Sequence, residues 1–330
     1  MNFRRHVIGV LLAVLLAALF AVGLAGPVLA QGFPTRQITI VVPFPPGGLT
    51  DQVARVVAQK MQDSLGKPVI VDNKPGAGGQ IAGTQVMKAD ADGHTLYIGD
   101  TGALAINHGL YKKFSYDPLK DLQPVANLVS SPLILVVPKD SPANNVAELI
   151  ALAQKKPAGL NYASQGIGTI GHLLGEMFRT KTGTSLNHIA YKGSAPALND
   201  IAGGQVDLLF DPVISASPLV IGGKIKALAI AAPNASRALP QLKTMADSGT
   251  SGVEASVWFG MVVRAGTPEA IVRKLNEEVV KALKSPDVAK RFNDQGLDII
   301  ASTPADFGTF MKSEVARWAP IVKASGATVE

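Results

Sequence analysis

Short apolar runs alternate along the chain with segments whose apolar residues recur every three to four positions. The run at 37–42 (QITIVV) is typical of a buried strand, and Val53, Val57 and Met61 predict a helix that begins near residue 50. Strands that alternate with helices indicate βαβ units and a mostly parallel sheet, so the sequence predicts an α/β fold. The other predicted strands are 69–71, 95–99, 133–137, 160–163, 186–191, 206–210, 225–230 and 257–263.

Three helix starts carry capping signals. Asn145 followed by Glu148 has the spacing of a capping box. Thr267 and Thr303 each precede a proline, which is favoured in the first turn of a helix, so both threonines are expected to be N-caps. Apolar stripes that we expect to face the core follow them, namely Ile271, Leu275, Val279 and Leu283, and then Phe307, Phe310, Met311 and Trp318.

Glycine-rich elbows join a predicted strand to a predicted helix at 42–51, 73–80 and 164–172. The first N–H groups of a helix have no partner within the helix, and the helix dipole favours negative charge there. Three such elbows therefore predict a site that holds an anion. The simpler interpretation is that these glycines only permit tight turns, since glycine readily adopts a positive φ.

The third elbow also contains Gly166, Gly168 and Gly171 in the G-x-G-x-x-G spacing of dinucleotide-binding proteins. Such a site needs an acidic residue about 20 positions further on, at the end of the next strand. The segment at 189–193 (IAYKG) contains no acid. We therefore expect this loop to hold a carboxylate, with the hydroxyls of Ser164 and Thr169 as further donors.

The motifs of the commonest hydrolases and metalloproteases are absent, because G-x-S-x-G, Walker A and H-E-x-x-H patterns do not occur. Among the histidines, His172 is the candidate for contact with an anion, since it follows the third elbow by one turn. Asp51, Asp100, Asp207 and Asp211 fall near strand ends or elbows. They either contact ligand directly or have structural roles, which are helix capping for Asp51 and loop ordering or hinge bonding for the other three. Asp207 and Asp211 also have an interpretation as a catalytic pair. No metal or cofactor is predicted.

Residues 1–30 have the features of a secretory leader, with Arg4 and Arg5 before an apolar run and a small-residue cleavage site after Ala30. An uncleaved membrane anchor is the alternative, because the apolar run is long enough to span. The leader contains these two arginines and no acid, so its removal takes the net charge from +6 to +4. The remaining 31–330 is long enough for two domains.

Composition excludes several classes of site. The chain has no cysteine, which rules out disulfides, thiolate metal sites and cysteine nucleophiles. Aromatic residues make up 5% of the chain and the basic residues are scattered, so no nucleic-acid surface is indicated. A mild positive charge suits an anionic small molecule.

The three elbows, together with 92–93 (DG), 116–118 (YDP), 191–193 (YKG), 258–260 (WFG) and 317–318 (RW), resemble the Bug-type (TctC-like) receptors of tripartite tricarboxylate transporters. The resemblance spans essentially the whole mature chain. It implies a two-lobed type II periplasmic binding protein, or Venus flytrap, in which each lobe is a mostly parallel sheet flanked by helices. Lobe 1 would comprise 31–130 and 255–330, and lobe 2 would comprise 131–254.

The same resemblance implies a ligand between the lobes, with one carboxylate held by backbone groups and ordered water at the first two elbows. The site residues that it implies in lobe 1 are Phe44, Pro46, Gly47, Gly48, Thr50, Asp51, Gly78, Gly79 and Thr101. Those in lobe 2 are Ser164, Gly168, Thr169, His172 and Asp211.

By resemblance, the protein is expected to be a periplasmic solute receptor and not an enzyme. It would bind a small organic carboxylate as a monomer, without a cofactor, and deliver it to a membrane permease with a large and a small integral subunit. Two alternatives stay open. One is an exported α/β hydrolase-like enzyme that uses Ser164 with His172, and the other is a ligand-sensing subunit of a signalling system, which would have the same fold and site.

Overall fold

The computed structural model describes residues 32–329. The predicted leader at 1–30, with its cleavage site after Ala30, lies outside the described residues. The described chain divides into two units, of which the first covers 32–36 and contains no helix or strand. The second unit starts at Gln37 and contains all the elements that follow.

The strands are short except for one. They are β1 (Ile38–Val42), β2 (Val69–Asn73), β3 (Thr95–Asp100), β4 (Leu122–Pro138), β5 (Leu160–Ser164), β6 (Leu186–Ala190), β7 (Leu208–Pro212), β8 (Ile225–Ala231), β9 (Ser256–Arg264) and β10 (Asp298–Ile299).

The helices connect these strands and cover the sheets. They are α1 (Leu49–Leu65), α2 (Gln80–Lys88), α3 (Asn107–Leu110), α4 (Val146–Lys155), α5 (Ile170–Thr182), α6 (Ser194–Ala202), α7 (Val213–Ile221), α8 (Glu269–Lys284), α9 (Pro286–Asp294) and α10 (Pro304–Ser325). A 3-10 turn at Ala77–Gly79 and a π-helical turn at Gly102–Ile106 follow β2 and β3.

Strand β4 belongs to two sheets at once. From Leu122 to Pro132 it pairs antiparallel with β9, in the sheet ordered β2-β1-β3-β9-β4. From Leu133 onward it pairs antiparallel with β7 and β8, in the sheet that continues β4-β7-β5-β6. Strands β1, β2 and β3 are parallel to one another, as are β5, β6 and β7. The predicted parallel βαβ units are confirmed within each sheet, and β4 and β9 add an antiparallel link.

The first half of β4 was not predicted, because its sequence interrupts the apolar pattern. Pro124 lacks a backbone N–H, and Asn127 and Ser131 are polar although they are buried. The register with β9 shifts between Pro124 and Ala126 and again between Asn127 and Val129, so bulges accommodate these residues. Helices α6, α7 and α9 also had no predicted counterpart.

The capping predictions had mixed outcomes. The Asn145 side chain accepts a hydrogen bond from the Glu148 N–H at 2.9 Å, and Thr303 accepts one from the Asp306 N–H at 3.1 Å, which confirms both caps. The prediction for Thr267 was wrong, because Pro268 occupies the cap position and the Thr267 hydroxyl donates to the carbonyl of Arg264 instead.

The packing stripes are nearly as expected. In α10, Phe307, Met311 and Trp318 are buried. In α8 the buried stripe begins at Val272 and not at Ile271, which is half-buried. The predicted lobe boundaries at 130/131 and 254/255 stay a prediction. The division of the chain into units places all residues from 37 onward together and does not separate two lobes.

Gly260 in β9 provides a test of the core between the first sheet and α10. A Cβ at Gly260 would overlap the ring of Phe307, which is fully buried and stands edge-on to Trp258 with a centroid separation of 5.8 Å. We expect Gly260→Ala to lower the free energy of unfolding by about 1–3 kcal/mol through overpacking. Urea titration followed by circular dichroism measures this change.

Gly308→Ala is the matched control, since Gly308 is next to Phe307 and inside α10. Its added Cβ would lie 3.4 Å from Pro124, which is ordinary contact. Alanine replaces glycine in a helix favourably, so we expect this variant to gain up to about 1 kcal/mol. Equal effects of the two substitutions would contradict this account of the packing.

Candidate functional site

A cleft of about 670 Å³ lies where the carboxyl ends of the parallel strands meet. Its walls are formed by the segments that follow β1, β2 and β3 in the first sheet and β5, β6 and β7 in the second. The start of β9 contributes Val257 and Phe259 between them. This is the position where ligands bind in open α/β sheets.

Four α-helices begin at the wall of this cleft. The lining includes Thr50 from the first turn of α1, Thr169 at the cap of α5, Ser194 at the start of α6 and Ser215 in the first turn of α7. The π-helical turn adds Gly102. Each helix start carries partial positive charge and N–H groups without intrahelical partners. The arrangement therefore favours a negatively charged group.

Charged side chains contribute little to this lining. No described lining residue is a lysine, arginine or histidine, and Asp100 is the carboxylate among them. Asp100 accepts a hydrogen bond from the Ala103 N–H at 2.9 Å, and burial raises its pKa. An anion in the cleft would therefore depend on backbone N–H groups, hydroxyls and amides.

The first elbow is held in shape from behind by Asp51. Its carboxylate accepts hydrogen bonds from the Gly47 N–H at 2.9 Å, from Arg55 at 2.8 Å and from the Asn73 amide at 2.9 Å. Burial by itself would raise the Asp51 pKa, but these hydrogen bonds keep the pKa below its usual value. Asn73 also donates to the Phe44 carbonyl at 3.0 Å. Asp51 thus orders the loop and does not line the cleft.

The second elbow requires glycine for geometric reasons. Gly78 and Gly79 have φ angles of 61° and 93°. Gly78 lines the cleft, and its carbonyl accepts a hydrogen bond of 2.7 Å from the amide of Asn107. Gly79 lies behind, where a Cβ would come within 2.8 Å of the Tyr97 hydroxyl. Close packing as well as turn geometry therefore excludes side chains here.

His172 supports the third elbow from behind in a similar way. Its Nδ1 accepts a hydrogen bond of 3.0 Å from the Gly168 N–H, and Gly168 has a φ of 74°. The Thr169 hydroxyl donates to the Gly166 carbonyl at 2.8 Å and caps α5 through the His172 N–H. His172 therefore acts on the loop that lines the cleft and does not itself line it.

The ring of His172 belongs to a buried aromatic stack. The rings of His172 and His188 are nearly parallel with centroids 3.9 Å apart, and the ring of Tyr162 lies 4.8 Å from that of His188 and 6.4 Å from that of His172. Burial lowers the pKa of both histidines, and the nearby His172 contributes to bringing that of His188 to about 4. A neutral His172 keeps Nδ1 available as the acceptor for Gly168.

The stack also changes the interpretation of Ser164. Its hydroxyl lies 2.6 Å from Nε2 of His188, not of His172, and it also donates to the Gly166 carbonyl at 3.1 Å. Ser164 is fully buried and does not line the cleft. The hydrolase alternative paired Ser164 with His172, and that pairing was wrong. The actual partner of Ser164 is His188, which belongs to the side chains behind the third elbow.

Asp207 and Asp211 have separate environments, so they do not act as a carboxylate pair. Asp207 contacts Lys156 at 3.2 Å and accepts from the Asn161 N–H at 2.7 Å. Asp211 is completely buried at the end of β7 and accepts a hydrogen bond of 2.6 Å from the amide of Gln165. Burial raises the pKa of Asp211 to about 7, although polar neighbours partly offset it.

The predicted site residues thus fall into two groups. Those that line the cleft are Phe44, Pro46, Gly48, Thr50, Gly78, Thr101, Gly168 and Thr169. Those outside the lining are the exposed Gly47 and, behind the wall, Asp51, Gly79, Ser164, His172 and Asp211. Direct ligand contact by any of them stays a prediction.

Several lining residues were not predicted. Gln165 and Ser194 stand within or beside motifs that had been recognised, so the sequence offered a signal for both. Asn107, Tyr111 and Ser215 lie on elements without a motif, and only the fold brings them to the cleft.

Two further searches of the described residues concern metals and membranes. Within 32–329, no three histidine, aspartate or glutamate side chains are grouped as a metal site would require. In the same range, no helix combines the length and apolar character needed to cross a bilayer.

Comparison with known proteins identifies a family and several solved structures to which this chain is similar. The family model "Tripartite tricarboxylate transporter family receptor" matches residues 53–327. BugT of Bordetella pertussis is 38% identical over 331 residues, covering 100% of both chains. The structure of R. palustris Rpa4515 with adipate has a TM-score of 0.81 and 37% identity, covering 90% of this chain and 100% of that one.

Two other solved structures are similar. MatC (Rpa3494) from Rhodopseudomonas palustris with bound malate has a TM-score of 0.77 at 34% identity, covering 88% of this chain and 100% of its own. The periplasmic binding protein BugD has a TM-score of 0.77 at 36% identity, with coverages of 90% and 100%. The predicted resemblance and fold class are confirmed, and the chain belongs to the tripartite tricarboxylate transporter receptors, a family of substrate-binding proteins and not of enzymes.

Proposed function

We propose that this protein is a periplasmic receptor that binds a small organic carboxylate in the cleft between its two sheets. The observation that carries the proposal is the convergence of four helix starts on a cleft whose described lining has no basic side chain. Such a wall stabilises negative charge through backbone N–H groups and hydroxyls.

The chemistry of the cleft favours a small carboxylate over a nucleotide. A volume of about 670 Å³ is within the usual range for small-molecule sites. The third elbow lacks the acid that a ribose would require, as the sequence indicates. Two related receptors were solved with adipate and with malate, which are both carboxylates.

Binding would work by closure. Lining residues come from both sheets, so a ligand that contacts both walls stabilises the closed arrangement by its greater affinity for it. Strands β4 and β9 link the sheets and are the elements about which the walls would move. The predicted lobes, 31–130 with 255–330 and 131–254, are the bodies that we assign to this motion.

Partners and location follow from family membership. We assign the protein to the periplasm as a monomer, exported through the leader at 1–30 and cleaved after Ala30. The family name implies a transporter with further components. We assign the loaded form to docking on an integral membrane permease with a large and a small subunit, as the resemblance implies. A sensing role for the same site would differ only in the protein that recognises the closed form.

The first prediction of this proposal is a ligand-dependent rise in melting temperature. Residues 31–330 are screened against adipate, malate, aspartate and benzoate, with ATP and NAD as controls. A carboxylate at 100 times its dissociation constant should stabilise the fold by about 2.7 kcal/mol. For a chain of this size, the melting temperature should rise by at least roughly 2–4 °C. The screen is repeated after unfolding and refolding, which removes any bound ligand. A response to nucleotides alone in both screens would overturn the proposal.

The second prediction concerns Gly48, which lines the cleft in an extended conformation with φ −70° and ψ 169°. Its added Cβ would lie 3.8 Å from the Pro45 carbonyl, so valine fits the backbone and fills part of the cleft. We expect Gly48→Val to weaken carboxylate binding at least about tenfold, a loss of 1.4 kcal/mol or more, as measured by calorimetry.

Ala151→Val serves as the control, because Ala151 is exposed on α4 and gains the same β-branched side chain. Both variants should melt within a few degrees of the wild type, and only Gly48→Val should lose affinity. Wild-type affinity in Gly48→Val would show that the ligand does not occupy the first elbow. Gly79 is unsuitable for this test, since its positive φ and the nearby Tyr97 would strain any side chain.

A further inference from the structure

Asp211 is a buried acid immediately behind the wall of the cleft. It is 0% exposed, and it stands opposite Ile134 of β4, just beyond the point where that strand changes sheets. Its neighbour Pro212 lines the cleft, as do Gln165 and Ser194. This carboxyl group therefore lies next to residues that line the cleft.

The hydrogen bonding of this carboxyl group is incomplete. Oδ1 accepts a bond of 2.6 Å from the Gln165 amide, which also donates to the Phe210 carbonyl at 2.8 Å. Oδ2 makes no hydrogen bond of standard geometry within the described residues, and the Ser194 hydroxyl is the second polar side chain close enough to lower the pKa of this carboxyl group. A buried carboxylate oxygen without a donor is costly, whereas a protonated oxygen carries no charge that burial would penalise.

Within 32–329, no cationic side chain lowers the pKa of Asp211. The elements packed against β7 are β4, β5, α5, α6 and α7. The titratable side chains on them are Tyr162, His172, Glu176, Arg179, Lys181 and Asp200, and Asp100 lines the cleft. Glu176 pairs with Arg179 at 2.8 Å, and Asp200 accepts from the Tyr191 hydroxyl at 2.6 Å. Burial raises the pKa of Asp211 to about 7, and the groups that oppose it, Ser194 and Gln165, are neutral.

A carboxylate in the cleft adds a second negative charge near this site. Like charges at short range in a poorly solvated region disfavour one another, and the cheaper response is protonation of the group that is already close to neutral. The backbone N–H groups that hold the ligand carboxylate keep it ionised. The proton would therefore come from solvent and bind to Oδ2 of Asp211, the oxygen that does not accept from Gln165.

We propose that Asp211 is the residue through which this receptor takes up a proton when a carboxylate binds, so that ligand anion and proton are held together. This inference rests on the proposed function and goes beyond it. In this role Asp211 does not contact the ligand, and its protonation sets the charge behind the cleft wall. The receptor would then favour carboxylates without a cationic group, because an ammonium near Asp211 would retain the ionised form.

Proton uptake is measured directly by calorimetry in buffers of different ionisation enthalpy. Adipate, malate and benzoate are titrated into the protein between pH 5.5 and 8.5. We expect uptake to rise from near zero at pH 5.5 towards one proton per ligand above pH 7. Affinity should weaken by up to about tenfold per pH unit above 7, as linkage requires.

Asp211→Asn is the decisive variant. Asparagine keeps an acceptor for Gln165 and places a neutral group at the Oδ2 position, so it imitates the protonated acid. We expect it to bind with an affinity that is nearly independent of pH and with no proton uptake. Asp200→Asn is the matched control on α6, and it should retain the uptake of the wild type.

The outcomes are separable. Failure of all three carboxylates to bind overturns the proposed function and this inference with it. Binding without proton uptake, or unchanged uptake in Asp211→Asn, overturns the inference alone. If Asp211→Asn does not fold, carboxyl ¹³C NMR of the wild type decides. One aspartate should titrate near neutral pH, and adipate should raise its pKa. The absence of such an aspartate rejects the inference.

Discussion

The structure depends on one constraint, which is that the chain must turn from strand to helix at the wall of the cleft, where the first N–H groups of each helix are placed. Helix starts at the cleft wall leave these donors without intrahelical partners. The turns are tight enough to need positive φ at Gly78, Gly79 and Gly168. Much of the remaining architecture holds these turns in place.

The supports behind the elbows differ in charge. The first elbow relies on Asp51, an ionised carboxylate that gathers donors from Gly47, Arg55 and Asn73. The third relies on His172, which must be neutral to accept from Gly168. Each group has the protonation state that its role requires, because hydrogen bonds lower the pKa of Asp51 whereas burial lowers that of His172. The charged groups Asp51 and Arg55 lie outside the lining, which remains free of basic side chains.

Sequence reasoning recovered the parts of the molecule that are encoded locally. Periodicity predicted β1 and α1, and the glycine spacing located all three elbows. It missed the first half of β4, since Pro124 and Asn127 break the pattern and only bulges against β9 admit them. Within the site, the pairing of Ser164 with His188 depends on the parallel register of β5 and β6, which places Tyr162 opposite His188. No local pattern contains that register. Asn107 and Ser215 reach the cleft for the same non-local reason.

The link between the sheets has a mechanical consequence. Where β4 leaves the first sheet, it is still hydrogen-bonded to β9, with Ser131 opposite Val257 and Pro132 opposite Ser256. The crossing is therefore a paired ribbon and not a pair of loose loops. A ribbon bends and twists as an elastic strip, with a preferred rest angle and a restoring force that increases with displacement. A ligand that draws the two sheets together would therefore work against a restoring force whose stiffness is set by backbone hydrogen bonds.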